Sequence, residues 1–185
     1  MSWRASMFAF AAMVCLAGGA LAHALPGSVL SLRLQGGLLQ LTLQFPVEDL
    51  IIAAPEFVAL EDVEAGQSIS EELTDELTRY LSRHLSVSEN GVSLDLNMTD
   101  VRLQPAHLDH LGQFTLLVSQ WEMMGAEKDS TPLELSYDAV MHEVRNHRAT
   151  VQWIEPNGDL RLISEFGYFD AANGVLLDLR AVGRQ

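Results

Sequence analysis

Apolar and polar residues alternate over much of the chain, the period expected when one face of a strand meets a core and the other meets water. From Ser28 to Gln35, Leu30, Leu32 and Leu34 fall on one side and Ser31, Arg33 and Gln35 on the other. Gly36-Gly37 signals a turn, and the alternation resumes to Phe45, with Leu39, Leu41, Leu43 and Phe45 opposite Gln40, Thr42 and Gln44. The two runs predict a hairpin that Pro46 ends. Residues 47–60 are apolar without a clean period and read as a connection. Ile69, Leu73, Leu77, Leu81 and Leu85 then recur every four residues, with Tyr80 beside them. That spacing predicts one amphipathic helix over about residues 69–85. Ser68-Ile69-Ser70-Glu71 fits a capping box, and Glu71, Glu72, Asp75 and Glu76 make the polar face acidic, which suits the dipole of a helix start.

Alternation returns after the turn Glu89-Asn90-Gly91. Val92, Leu94 and Leu96 open a strand that residues 101–104 continue or pair with, and residues 107–110 read as a polar loop. Gln113 to Trp121 predicts a long strand with Phe114, Leu116 and Val118 on one face, followed by a loop over 122–130. Further strands are marked by Leu133, Leu135 and Tyr137; by Ala149, Val151 and Trp153; by Leu160 and Leu162 after the turn Pro156-Asn157-Gly158-Asp159; and by Val175, Leu177 and Leu179. Residues 138–146 break the alternation. About seven to nine strands, one substantial helix and no βαβ rhythm predict a mainly β protein. The expected architecture is an immunoglobulin-like β-sandwich with the helix inserted in a connection or packed at one end.

The start of the chain has a different character. Arg4 lies in a short, weakly positive opening, an apolar run follows from Met7 to Leu16, and Ala20-Leu21-Ala22 offers the small residues a signal peptidase requires. Residues 1–22 are therefore expected to be a cleaved signal peptide, residues 23–185 one extracytoplasmic domain, and the location periplasmic or extracellular. The one cysteine, Cys15, falls in the signal, so the expected mature domain has neither disulfides nor thiolate ligands. No later stretch approaches the ~18 apolar residues of a spanning helix.

Composition narrows the partners. With 25 acidic against 11 basic residues the formal charge is −14, and removal of the signal, which holds Arg4, makes it one unit more negative. A chain this acidic lacks the Lys and Arg that nucleic acid phosphates require.

Candidate chemistry rests on the six histidines. Cleavage after Ala22 frees the α-amine of His23, and amine plus imidazole can chelate one ion. Pro26 stops backbone-amide chelation from extending past Leu25. His142-Glu143-Val144-Arg145-Asn146-His147 differs from the zinc hydrolase pattern because its histidines are five apart, about 140° round a helix instead of one turn. They can converge only if the segment is a loop. A site of His23, His142 and His147, with Asp138 and Glu143 in support, would favour Cu, Ni or Zn over calcium. His107 and His110 flank Asp109 as a lesser candidate, and His84 at the helix end reads as a cap or core residue. The acidic residues at 61–76 do not form a calcium loop. No GxSxG elbow or phosphate loop is present. The expectation is a noncatalytic protein, with a metal-free structural or interaction domain and a copper-dependent oxidative enzyme as alternatives.

Several of these elements resemble the extracytoplasmic amino-terminal region of HupE/UreJ-family membrane proteins. They are His23, Pro26 and Ser28; Phe45-Pro46 through Leu50; Tyr80, Leu81 and His84; and Tyr137, Asp138, His142 and His147. The likeness spans about residues 23–155. The resemblance implies export, association with the envelope, and a membrane part similar to nickel or cobalt permeases. No such bundle occurs in this sequence, so an accessory domain that supports a membrane or envelope partner is expected.

Overall fold

The alternating leucines pair into the expected hairpin, β1 (Ser28–Gln35) with β2 (Leu38–Pro46), in the register Leu30↔Leu43 and Leu32↔Leu41. Leu30, Leu32, Leu39, Leu41, Leu43 and Phe45 are all fully buried, each stabilising the fold by about 1.5–3 kcal/mol relative to exposure. The computed structural model describes residues 26–36, 38–123 and 132–178. The expected signal segment, His23, nearly all of the expected 122–130 loop and Leu179 lie outside the described residues.

The hairpin forms the middle of a six-stranded sheet. On one side β2 pairs antiparallel with β6 (Gly112–Met123), which pairs with β5 (Leu96–Leu108). On the other side β1 pairs in parallel with β8 (Arg148–Ile154), which pairs antiparallel with β9 (Leu160–Gly167). A second sheet has the order β10 (Val175–Leu177), β7 (Leu133–Tyr137), β3 (Leu85–Glu89), β4 (Val92–Ser93). Asn90 and Gly91, both at positive φ (51° and 77°), make the tight β3–β4 turn.

Three helices lie between β2 and β3: α1 (Val47–Ala53), a 3-10 helix (Pro55–Asp62) and α2 (Glu71–His84). Ser70, not Ser68, caps α2 by accepting from the Leu73 N–H at 3.3 Å. Leu77, Tyr80 and Leu81 bury its apolar stripe. The fold is thus mixed α/β with two open sheets and three helices. It is not the immunoglobulin-like β-sandwich with one inserted helix. The difference arises in residues 47–62, whose apolar side chains form two short helices that bury Val47, Leu50, Phe57 and Leu60, and in the parallel β1–β8 pairing.

A second correction concerns β6. Its core-facing positions are Leu117, Ser119, Trp121 and Met123, opposite in phase to Phe114 and Leu116. Ser119 escapes the usual cost of a buried hydroxyl because its Oγ accepts from Trp121 Nε1 at 2.9 Å. Side chains of both sheets and all three helices join one hydrophobic core.

Candidate functional site

Helix α2 runs into β3 without a loop, so the register of β3 against β7 decides what its last residue meets. Leu85 faces Tyr137, and one position on, the Asp138 N–H donates to the His84 carbonyl at 3.0 Å. His84 Nδ1–H donates to Asp138 Oδ1 at 2.8 Å. The chain then reverses: Glu143 and Val144 both donate to the Val140 carbonyl, at 3.2 and 2.9 Å. This turn lays the His142 ring on His84, with centroids 4.6 Å apart and planes within 9°. His142 Nδ1 makes a long 3.4 Å contact with the Asp138 carbonyl. Among the described residues neither Nε2 makes a hydrogen bond.

The turn is held under strain. Val140 is fully buried at φ 69°, a left-handed backbone that costs a β-branched residue on the order of 1–3 kcal/mol. Its N–H donates to the Tyr80 hydroxyl at 3.1 Å, and Tyr80 packs on His84 one helical turn later with ring centroids 4.6 Å apart. A cleft of 360 Å³ opens beside the histidine pair, bounded by Arg83, His84, Tyr137, Asp138, His142 and Tyr168.

Tyr137, the last residue of β7, directly precedes Asp138, and its hydroxyl is bonded away from the histidine pair. Its hydroxyl lies 2.6 Å from Ser28 Oγ, which lies 2.7 Å from His147 Nε2, while His147 Nδ1 lies 2.8 Å from Asp49 Oδ2. One chain of bonds therefore joins β7, β1, the turn before β8, and α1. A carboxylate only accepts, so His147 Nδ1–H donates to Asp49. With the imidazole neutral, Nε2 accepts from Ser28, and Ser28 accepts from Tyr137. The order Asp–His–Ser is that of an acyl-transfer triad. Its serine, however, is fully buried with Oγ between His147 and the Tyr137 hydroxyl, so no acyl group reaches it in this conformation.

Burial, only partly offset by the bond to Ser28, pushes the Tyr137 hydroxyl far above tyrosine's ordinary range. Burial also pushes Tyr80 up to about 12, against the lowering influence of the Val140 N–H. Both folded values exceed the unfolded value near 10. Their contribution to stability is complete below pH 10 and fades as pH rises, through about 12 for Tyr80. We expect unfolding by urea to become easier with each step in pH above 10, and phenolate absorbance from these two tyrosines to lag behind that of the unfolded chain. Full phenolate absorbance from a still-folded protein near pH 10 would contradict this.

The sequence-predicted ligands separate. His142 joins His84, whereas His147 is buried with both ring nitrogens engaged. Asp138 serves His84, and Glu143 is exposed and bonds to no histidine among the described residues. His107 lies 3.8 Å from Asp109, both well exposed, and His110 sits in the β5–β6 turn. No group of three or more metal-binding side chains converges among the described residues. Sequence reasoning missed the partnership of His84 and the burial of Asp49, because both depend on strand and helix neighbours remote in the chain. No described helix is long and apolar enough to cross a membrane.

Comparison of this chain with protein-family models finds no match. Comparison with curated proteins finds none either.

Proposed function

We propose that this chain is an exported, noncatalytic envelope domain that binds a divalent transition metal at the His84–His142 pair and presents it to a membrane or envelope partner. One observation carries the reading: Asp138 faces Nδ1 of both stacked rings, through its carboxylate at 2.8 Å and its carbonyl at 3.4 Å, and both Nε2 atoms are without a partner among the described residues. A carboxylate behind a histidine fixes the tautomer whose other nitrogen binds metal. Imidazole nitrogen suits Cu, Ni and Zn. Two nitrogens on one ion lie at most about 4.2 Å apart, and one ring must turn out of the parallel stack for both in-plane lone pairs to reach one ion.

Calorimetric titration of residues 23–185 with Cu(II), Ni(II) and Zn(II) tests this. Binding of one ion per chain is expected, lost in His84→Ala with His142→Ala and unchanged by His107→Ala. Equal affinity in the double variant would sink the reading. A metal-free interaction domain is the second reading, favoured by the outer strand β9, where Leu160 and Leu162 are 62% and 58% exposed.

A further inference from the structure

We infer that the site binds its metal more tightly as a complex with a small polycarboxylate than as a bare ion, an inference that rests on the metal-binding reading above. Two imidazoles fill two positions of an ion that ordinarily holds four or more ligands. Asp138 is bonded to His84 Nδ1, and no group of three or more histidines, cysteines or acids that could hold a metal ion is found among the described residues. The other positions fall to groups from outside the site.

The cleft indicates what those groups are. Its 360 Å³ falls within the ~300–1,000 Å³ of small-molecule sites, and equals the liquid volume of about twelve waters at ~30 Å³ each. That is far more room than an ion requires. Arg83 borders the cleft with the hydroxyl-bearing Ser86 and Ser136. Arg83 is exposed and makes no ion pair among the described residues, although the whole chain carries −14. The one acid lining the cleft, Asp138, is engaged by His84. A guanidinium offers a planar fork that binds carboxylate through two parallel hydrogen bonds. Metal-seeking nitrogens and an exposed guanidinium thus border one cavity, and a metal polycarboxylate satisfies both.

Native mass spectrometry and calorimetry of residues 23–185 with Ni(II), with citrate, and with equimolar Ni(II) and citrate decide the matter. The expected species carries nickel and citrate together, with apparent nickel affinity raised about tenfold by citrate. Arg83→Ala should abolish that gain while binding nickel alone as the parent does. Nickel retained without citrate, and stripped as citrate is added, would leave the bare-ion site standing and overturn this inference. So would an unchanged citrate gain in Arg83→Ala, or citrate bound equally well without nickel. Failure to bind nickel in either form overturns the metal reading as well.

Discussion

Replacement of His147 by alanine is expected to destabilise the protein by about 3–5 kcal/mol, the summed cost of leaving a buried carboxylate and a buried hydroxyl without their shared partner. Among the described residues the imidazole is the only group that bonds both Asp49 and Ser28. Its loss leaves the Asp49 carboxylate in a setting where its side chain is 12% exposed, and removes the acceptor of the Ser28 hydroxyl. It also opens a cavity at the meeting point of four elements. Tyr137→Phe removes only the outer bond of the chain and should cost about 1 kcal/mol. Urea unfolding of the two variants gives the comparison. Equal, small losses would mean that the buried chain does not act as a unit and that water replaces the imidazole.

Gly27→Ala should be nearly as severe. A Cβ built at Gly27 falls 2.1 Å from the Arg148 carbonyl oxygen and 2.9 Å from its carbon. These are backbone atoms of the neighbouring strand, which no rotamer change can move aside. Relief requires β1 to move from β8, whose parallel register begins one residue later at Ser28↔Ala149. Overpacking against flexible side chains costs about 1–3 kcal/mol, and a backbone obstacle places this change at or above ~3. The measurement is again the urea midpoint. A midpoint within error of the parent would show that the close approach of Gly27 to Arg148 is not maintained in solution.

Much of the sheet structure was legible because its signal is local. In β1, β2, β7 and β8 a period of two leads directly to the buried face, and in α2 the four-residue leucine spacing leads to a stripe around Leu77 and Leu81. Residues 47–62 defeated the same reading. Two helices of seven and eight residues, interrupted by Pro55, are too short and too uniformly apolar to display a period. In β6 the phase was misassigned because a serine occupies the core, where only the indole of Trp121 makes it tolerable. The parallel β1–β8 pairing leaves no mark in the sequence near either strand.

The site shows the same division. Ser28, Tyr80, His84, Tyr137, Asp138, His142 and His147 all carry polar groups that the sequence displays without their partners. They fall in two separate constellations, and the division between them follows from Tyr137 ending β7 and Asp138 coming directly after it. Asp49 lies in the segment from Phe45-Pro46 through Leu50, but beside Glu48 nothing in the sequence set it apart. It acquires meaning only once α1 is seen to carry it to His147.

The parallel pairing of β1 with β8 also constrains how the molecule assembles. Ser28 must find Ala149, and a loop of that length is closed before any contact rewards it, which slows folding relative to local hairpins. The β1–β2 hairpin can form early from neighbouring residues, but until Leu30 and Leu32 are covered it is a two-stranded ribbon with both edges open. Such ribbons are the species that pair with one another. The interval between hairpin formation and the arrival of β8 is thus the period of greatest exposure to self-association, and anything that shields the first strand during that interval acts as its chaperone.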